Sequence, residues 1–230
     1  PPPHYRPLLV LPPMNVDPIP FRPFMPTEPV EIYTSGYLPH WRQSGSTYFV
    51  TFRTADSLPQ SVLAELAAER AAWLARHGGA IQALSDELRR EFAKIISASL
   101  EEKLDHGCGD CPLRDPDTAK IVADALRHFS PGRLRLGDFV VMPNHVHALI
   151  TPATGRKLES LLQSIKNYSG RRINQLCAKG GTFWQRDSYD HIVRTGDQLR
   201  KFQRYIANNP AKANLRPGEY IHQTASYLFD

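Results

Sequence analysis

This chain of 230 residues has only three cysteines, Cys108, Cys111 and Cys177, and no long hydrophobic run. Three cysteines cannot supply the paired disulfides of a small secreted protein, which indicates a reducing, cytoplasmic setting. No apolar stretch approaches the ~20 residues that a helix needs to span a bilayer, so we expect no membrane segment. The opening residues, Pro1 to His4, lack the charged-then-apolar order of a secretory signal.

The remaining composition is that of an ordinary globular protein whose charge is unevenly distributed. Hydrophobic residues make up 41% of the chain and charged residues 22%, and the length allows a substantial core. The net charge is +5, but residues 151–216 hold 13 Lys and Arg against 4 Asp and Glu, whereas the rest holds 15 against 19. Such a basic segment attracts polyanions, although a basic solvated surface is the simpler alternative.

Proline divides the chain into an arm and a main domain. Residues 1–36 carry about half of the 20 prolines, and proline fixes φ and removes a backbone donor. We therefore predict an extended arm that either lies on the body through its apolar residues or is disordered. Residues 37–216 are predicted to form one domain with a helical hairpin inserted at 57–106, and residues 217–230 a C-terminal tail.

Hydrophobic periodicity predicts an α+β fold with a mainly antiparallel sheet. Asp117 is predicted to cap the third helix, and Pro210 to stop the last one. The predicted strands are 46–53, 133–142, 145–150 and 189–194, and the predicted helices are 59–77, 84–104, 118–129, 158–176 and 197–208. The region 56–120, which includes the hairpin, has 12 acidic against 8 basic residues, so we expect it to face away from nucleic acid.

Two histidines in the segment Pro143-Asn144-His145-Val146-His147 suggest half of a metal site. Alternate side chains of a strand share a face, so His145 and His147 point the same way. Imidazoles are common ligands of divalent metals. A pair of half-buried histidines with ordinary hydrogen bonds remains the alternative from this pattern alone.

The other half of the site is predicted in the last helix, where Tyr205 and Asn209 lie one turn apart on one face. A phenol, an amide and a metal together suggest phosphoryl transfer through a covalent tyrosine. Tyr205 could instead be a residue at the edge of the core. Tyr168 is a rival nucleophile, but Arg172 stands at its i+4 position, where a ligand-type residue is needed.

Aromatic and basic residues elsewhere are candidates for contacts with a nucleic acid. Two aromatic–basic pairs, at 40–42 and 184–186, suggest stacking on unpaired bases, with packing at the edge of the core as the alternative. The predicted DNA-binding residues are His40, Trp41, Arg42, Lys166, Arg171, Arg172, Arg186 and Arg204.

The cysteines offer little chemistry. Cys108 and Cys111 with His106 could begin a zinc site, but a fourth ligand at suitable spacing is missing. Their glycine and proline neighbours fit a turn better than a redox motif. Buried thiols are the better interpretation.

A two-part motif resembles the REP-associated tyrosine transposases, a branch of the HUH single-tyrosine transposases. Its parts are Met142-Pro143-Asn144-His145-Val146-His147 and Tyr205-Ile206-x-x-Asn209-Pro210-x-Lys212-Ala213. Further similarity lies in His40-Trp41, residues 48–59, Gly109-x-Cys111-x-Leu113, residues 164–166, Ile173-Asn174 and residues 183–186. The resemblance spans about residues 38–216 and excludes the arm and the tail.

The resemblance implies a ferredoxin-like core with Mg²⁺ or Mn²⁺ held by His145, His147 and Asn209. It implies Tyr205 as the nucleophile, Tyr168 as a bystander and Cys111 as a structural residue. It also implies a substrate, single-stranded DNA with a short hairpin of the repetitive extragenic palindrome type, read partly through a tetranucleotide beside the stem. A bacterial, nucleoid-associated protein is expected, with a monomer favoured over a homodimer.

Two other functions remain open from the sequence. A metal-dependent hydrolase would use water as the nucleophile and form no protein–DNA adduct. A non-catalytic DNA-binding protein would bind hairpins without cutting them.

Overall fold

A five-stranded antiparallel sheet forms the centre of the computed structural model, which describes residues 18–35, 38–105, 107, 109–130 and 132–229. The strands are β1 (Ile19–Pro20), β2 (Glu31–Ser35), β3 (Leu38–Arg42), β4 (Tyr48–Arg53), β5 (Leu134–Val141), β6 (His145–Pro152), β7 (Tyr189–Ile192), β8 (Ile221–Gln223) and β9 (Tyr227–Leu228). The α-helices are α1 (Gln60–Arg76), α2 (Asp86–Asp105), α3 (Pro116–His128), α4 (Leu158–Leu176) and α5 (Gly196–Lys212).

The central sheet has the lateral order β7-β4-β6-β5-β8, and each of its strand pairs is antiparallel. Apart from α1 and α2, which lie between β4 and α3, the elements follow one another as β4, α3, β5, β6, α4 and β7, which is the β-α-β-β-α-β succession of a split βαβ unit. The predicted α+β class with an antiparallel sheet is therefore confirmed.

The two faces of the sheet bury different sets of residues because side chains alternate along each strand. Tyr48, Val50 and Phe52 of β4 join Val146 and Ala148 of β6 in a core covered by α3 and α4. The intervening residues of β4 and β6 point to the opposite face, where Phe49 and Leu149 pack with apolar residues of α5. The histidines of β6 share that second face, so the site is built between the sheet and α5.

Two details at helix ends differ from the prediction. The cap of α3 is Asp115, whose side chain accepts from the backbone N–H groups of Asp117 and Thr118, so the prediction of Asp117 as cap is wrong. Pro116 takes the first helical position, where a missing N–H costs nothing, and this places the cap one residue before it.

The prediction that Pro210 ends the last helix is also wrong, because α5 continues through it to Lys212. Pro210 cannot donate to a carbonyl one turn back, yet the backbone N–H groups of Ala213 and Leu215 bond to Asn209 and Pro210 and sustain the final turn. The helix therefore carries both Asn209 and Lys212 on regular helical backbone.

The described part of the arm lies on the body, while residues 1–17 of the predicted arm are outside the described residues. β1 pairs in parallel with β9, and Ile19 and Phe21 are buried. The arm also supplies β2, which forms an antiparallel pair with β3. At the other end, the predicted tail contributes β8 to the edge of the central sheet.

Helices α1 and α2 pair as the predicted hairpin around a small apolar cluster of their own, which includes Trp73 and Phe92. None of the described helices is both long and apolar enough to cross a membrane.

Candidate functional site

The structure brings His145 and His147 together on one face of β6. Their ring centroids are 4.7 Å apart, and both residues are 1% exposed. The alternation of the strand dictates this shared direction, as the spacing predicted.

Each histidine is oriented by a hydrogen bond at its Nδ1 atom. Nδ1 of His145 lies 2.7 Å from Oδ1 of Asn144, and Nδ1 of His147 lies 2.8 Å from the hydroxyl of Thr51. We assign the proton of each ring to Nδ1, because Oδ1 of Asn144 can only accept and the Thr51 hydroxyl can accept equally well. The Nε2 atoms then carry lone pairs, as metal-binding imidazoles do.

Burial keeps both rings neutral. The net effect is a pKa of about 3 for His145: burial lowers it most, the neighbouring Asn209 amide opposes this, and the positive charge of Lys212 adds a smaller lowering. Burial also lowers the pKa of His147 well below its ordinary value, helped by His145 and Lys212. Neutral imidazole is the form that ligates a metal, so the lone pairs are available at neutral pH.

Helix α5 adds Tyr205 and Asn209 to the two histidines. The ring of Tyr205 lies 5.1 Å from that of His147 and 5.6 Å from that of Phe49, edge to face in both cases, and its hydroxyl oxygen is buried. Asn209 is 1% exposed and lies close enough to His145 to affect its pKa. All four predicted site residues therefore meet within a single chain.

The donor atoms of this cluster fit a divalent cation. Nε2 of His145, Nε2 of His147 and both amide atoms of Asn209 are buried without an ordinary hydrogen bond to any described residue. Polar atoms buried in this way cost free energy unless they have a partner. Across the described residues no three His, Cys, Asp or Glu side chains gather at one point, so a third ligand beside the two imidazoles would come from the amide of Asn209.

Two residues of the site were missed by the sequence analysis. Thr51 lies 96 positions before His147, and only the pairing of β4 with β6 brings them together. Lys212 affects the pKa of both histidines, because the helix continues past Pro210. Lys212 lies seven residues after Tyr205, which puts both on one face of a helix. The helix was predicted to end before Lys212, so this spacing was not used.

The residues at 40–42 are engaged in a buried ion cluster next to the sheet. Arg42 binds Asp190 through Nη1 at 2.6 Å and Nη2 at 2.8 Å, and it also pairs with Glu159. His40 bonds to Asp190 through Nδ1 at 2.5 Å, while Trp41 packs edge to face on Phe24. His40 and Arg42 thus hold β3 against β7.

The other residues predicted to contact phosphates lie on different parts of the fold. Arg204 is exposed on α5 beside Tyr205, and Arg186 is exposed in the loop before β7. Arg171 and Arg172 are exposed on α4, which covers the face of the sheet opposite to the histidines. Lys166 is tied to the loop at 185–188, where Nζ donates to two carbonyls and a hydroxyl.

The remaining candidates play no part in the cluster. Tyr168 is 49% exposed and stacks on His128, and Trp184 is buried with its indole N–H donating to Ser169. Cys111 donates its thiol to the carbonyl of Gly107, and the suggested partners Cys108 and His106 lie outside the described residues.

Comparison with known proteins supports the resemblance that the motifs suggested. Residues 119–209 match the family described as "Transposase IS200 like", and this region contains both histidines, Tyr205 and Asn209. The match supports a DNA-processing function of the transposase type. No curated protein matches it.

Two solved structures are similar at low identity. One, described as a REP-associated tyrosine transposase bound to a REP hairpin, is 16% identical, with 78% of this chain and 72% of that chain covered and a TM-score of 0.41. The other, a candidate transposase of Deinococcus radiodurans R1, is 18% identical, with 71% and 89% covered and a TM-score of 0.33. At these values neither structure supports a statement about what this chain binds.

Proposed function

We propose that this chain, a transposase-type protein by its family match, cuts and rejoins single-stranded DNA through a covalent bond to Tyr205. The observation that carries the proposal is the convergence of Tyr205 and Asn209 on the paired histidines within one buried cluster. A phenol beside three metal-type ligands is an arrangement suited to phosphoryl transfer.

His145, His147 and Asn209 would hold a Mg²⁺ or Mn²⁺ ion. When bound, such an ion polarises a scissile phosphate and stabilises the charge on the departing oxygen. Asn144 and Thr51 keep the two imidazoles in the required tautomer and orientation, which is the usual task of groups behind metal ligands.

Tyr205 is the proposed nucleophile. Its oxygen forms a bond to phosphorus while the bond to the 3′ oxygen breaks, and the phenolic proton ends on the released 3′ hydroxyl. The product is a 5′-phosphotyrosine of similar energy to the original phosphodiester, so rejoining needs no ATP. Because the hydroxyl oxygen is buried, the site must open locally to admit the strand.

The proposed substrate is single-stranded DNA with a hairpin of the repetitive extragenic palindrome type, in a bacterial host. Arg204 and Arg186 are exposed, and we propose that they contact phosphates of the DNA strand near the site. Arg171 and Arg172 lie on the opposite layer, and we propose that they contact DNA beyond the cleaved strand. A single chain carries the whole cluster, which favours a monomer as the active unit.

The test is a denaturing gel of the protein with labelled hairpin DNA and Mn²⁺. We expect a labelled band that migrates with the protein, and its loss in Tyr205→Phe without loss of DNA binding. Tyr168→Phe is the matched control, since that phenol is exposed and distant, and it should retain the adduct.

The same gel separates the alternatives. Cleavage without any adduct would identify a hydrolytic nuclease, and binding without cleavage would identify a DNA-binding protein with an inactive site. An adduct that persists in Tyr205→Phe would overturn the assignment of the nucleophile.

A further inference from the structure

A cavity of about 450 Å³ opens between the helical hairpin and the sheet, next to the histidines. Cavities that enclose small ligands span ~300–1,000 Å³, so this one can take a group of the size of a nucleobase. We infer that it binds one unpaired base of the DNA strand that the site cuts. The inference rests on the proposed function and assigns a binding role to the hairpin, which was expected to face away from nucleic acid.

The wall of the cavity is joined to both histidines. Thr51 lines the cavity and bonds to Nδ1 of His147 at 2.8 Å. Leu104 at the end of α2 also lines it, and its carbonyl is 3.5 Å from the amide nitrogen of Asn144, which in turn holds His145. A strand bound at the histidines would therefore lie close to this wall of the cavity.

The hairpin supplies an apolar wall. Apolar side chains from α1 and α2 face the segment that links β4 to α1, and they form a surface of the kind on which the flat face of a base can pack. The larger apolar residues of the wall are Leu58, Leu63, Leu66, Ile96, Leu100 and Leu104. Without a ligand this surface borders an open cavity, although Leu58 and Leu104 are themselves buried.

The opposite side of the cavity is polar and contains both hydrogen-bond donors and an acceptor. Arg53 donates one N–H to the hydroxyl of Ser57 at 3.0 Å, and a guanidinium carries five such donors. Burial lowers the pKa of Arg53, and the Asp187 carboxylate is close enough to oppose this effect. A cation and a carboxylate side by side match the mixed donors and acceptors on the edge of a base.

The polar side is held in place before any ligand arrives. Nζ of Lys166 donates to the carbonyls of Gln185 at 3.0 Å and Arg186 at 2.7 Å, and to the hydroxyl of Ser188 at 3.1 Å. The backbone N–H of Gln185 donates to the carbonyl of Arg53 at 2.9 Å. These bonds fix the loop relative to β4, so little conformational entropy is lost when a base enters.

Charge favours a nucleic acid over an apolar peptide as the occupant. Among the residues that line the cavity, Arg53 on β4 and Arg70 on α1 carry positive charge, against the single carboxylate of Asp187. An unpaired nucleotide offers a flat base to the apolar wall and a phosphate to these cations.

The experiment measures binding in EDTA, so that no cleavage is involved. The probe is the tightest-binding member of a random 30-nucleotide single-stranded DNA library, selected on the full chain. Single abasic sites are then placed along it, and affinity is measured by fluorescence anisotropy. We expect one position where loss of the base weakens binding about 10-fold, within the range for loss of one stacked base.

Filling the cavity with a larger side chain should remove the loss of affinity that the abasic site causes. In Leu100→Trp, the indole occupies the space of the base, so the abasic and intact strands should bind with equal, weakened affinity. Ala98→Trp, at an exposed position of the same helix, is the matched control and should keep the 10-fold difference. Leu63→Trp from the facing helix replaces Leu100→Trp if circular dichroism shows that the latter is unfolded.

Each outcome decides the inference independently of the tyrosine chemistry. The base pocket is ruled out if no abasic position weakens binding. It is also ruled out if the abasic strand still binds more weakly than the intact strand in both Leu100→Trp and Leu63→Trp, even if the phosphotyrosine adduct forms. A difference that disappears in the control Ala98→Trp also overturns it. If no DNA is selected from the library, both the pocket and the proposed function are contradicted. If one abasic position weakens binding but no adduct forms, only the proposed function is contradicted.

Discussion

The hydroxyl of Thr51 lies 2.8 Å from Nδ1 of His147, although 96 positions separate the two residues. They are direct partners in the pairing of β4 with β6, so the sheet itself places the hydroxyl behind the imidazole. This bond fixes the orientation of the His147 imidazole, whose ring lies 5.1 Å from that of Tyr205, and it makes β4 a part of the site.

Thr51→Val should weaken metal binding without unfolding the protein. Valine keeps the shape but removes the oxygen that orients His147, and loss of such a group typically costs 10–100-fold in metal affinity. The measurement is a Mn²⁺ titration by calorimetry. Thr47→Val is the control, because Thr47 bonds to Thr151 at the other end of β4 and also loses a buried hydroxyl. Equal affinity in wild type and Thr51→Val would contradict the orienting role.

Lys212→Gln should weaken DNA binding while leaving metal affinity equal or slightly higher. Its positive charge disfavours a second cation at the histidines, as its effect on their pKa values indicates, but it attracts phosphate. The dependence of DNA affinity on salt should fall by about one unit of slope, as for one lost phosphate contact.

Anisotropy titrations at several salt concentrations give this slope. Lys120→Gln on α3 is the control, since Lys120 pairs with Asp124 one turn along its own helix and does not reach the histidines. An unchanged slope in Lys212→Gln would exclude a phosphate contact at this residue.

The stability of the metal-free protein should fall as pH drops below about 6.5. His145 and His147 are neutral in the folded state, because burial lowers their pKa values, that of His145 to about 3. The unfolded chain therefore binds more protons, and the stability that the neutral rings provide is present above the unfolded pKa and lost toward pH 3. Each ring contributes a slope of up to ~1.4 kcal/mol per pH unit.

Urea unfolding of the wild type and of His145→Gln at pH 7, 6 and 5 measures this slope. The free energy of unfolding should fall less steeply in the variant, which has one titrating ring fewer. Parallel curves would mean that His145 is protonated in the folded protein.

Gly109→Ala should destabilise the fold strongly. Gly109 has a φ of +86°, and a Cβ there would lie 2.5 Å from the carbonyl oxygen of Asp56. We expect a loss of ~2–4 kcal/mol, from left-handed strain together with the displaced backbone. Gly155→Ala is the control, because Gly155 has a φ of +76° with nothing near its Cβ position and should lose only ~1 kcal/mol. Thermal unfolding of the two variants measures the difference.

The local patterns of the sequence predicted much of the secondary structure. Helix α4 is found where periodicity placed it, and the hairpin helices and β6 lie within a few residues of their predicted bounds. These elements have strong signals because burial of one face imposes a regular spacing of apolar residues. The predicted ends failed at Asp117 and Pro210, where a neighbouring proline or a few backbone hydrogen bonds decided the outcome.

Local spacing identifies the side chains that could form the site. His145 and His147 must share a face because a strand alternates, and Tyr205 and Asn209 must share one because a helix turns every 3.6 residues. The packing of the folded chain is what makes these two faces meet, adds Thr51 and Lys212 to them, and places the cavity lined by α1 and α2 beside them. Those relationships depend on strand pairing and helix packing between distant segments, which no local spacing encodes.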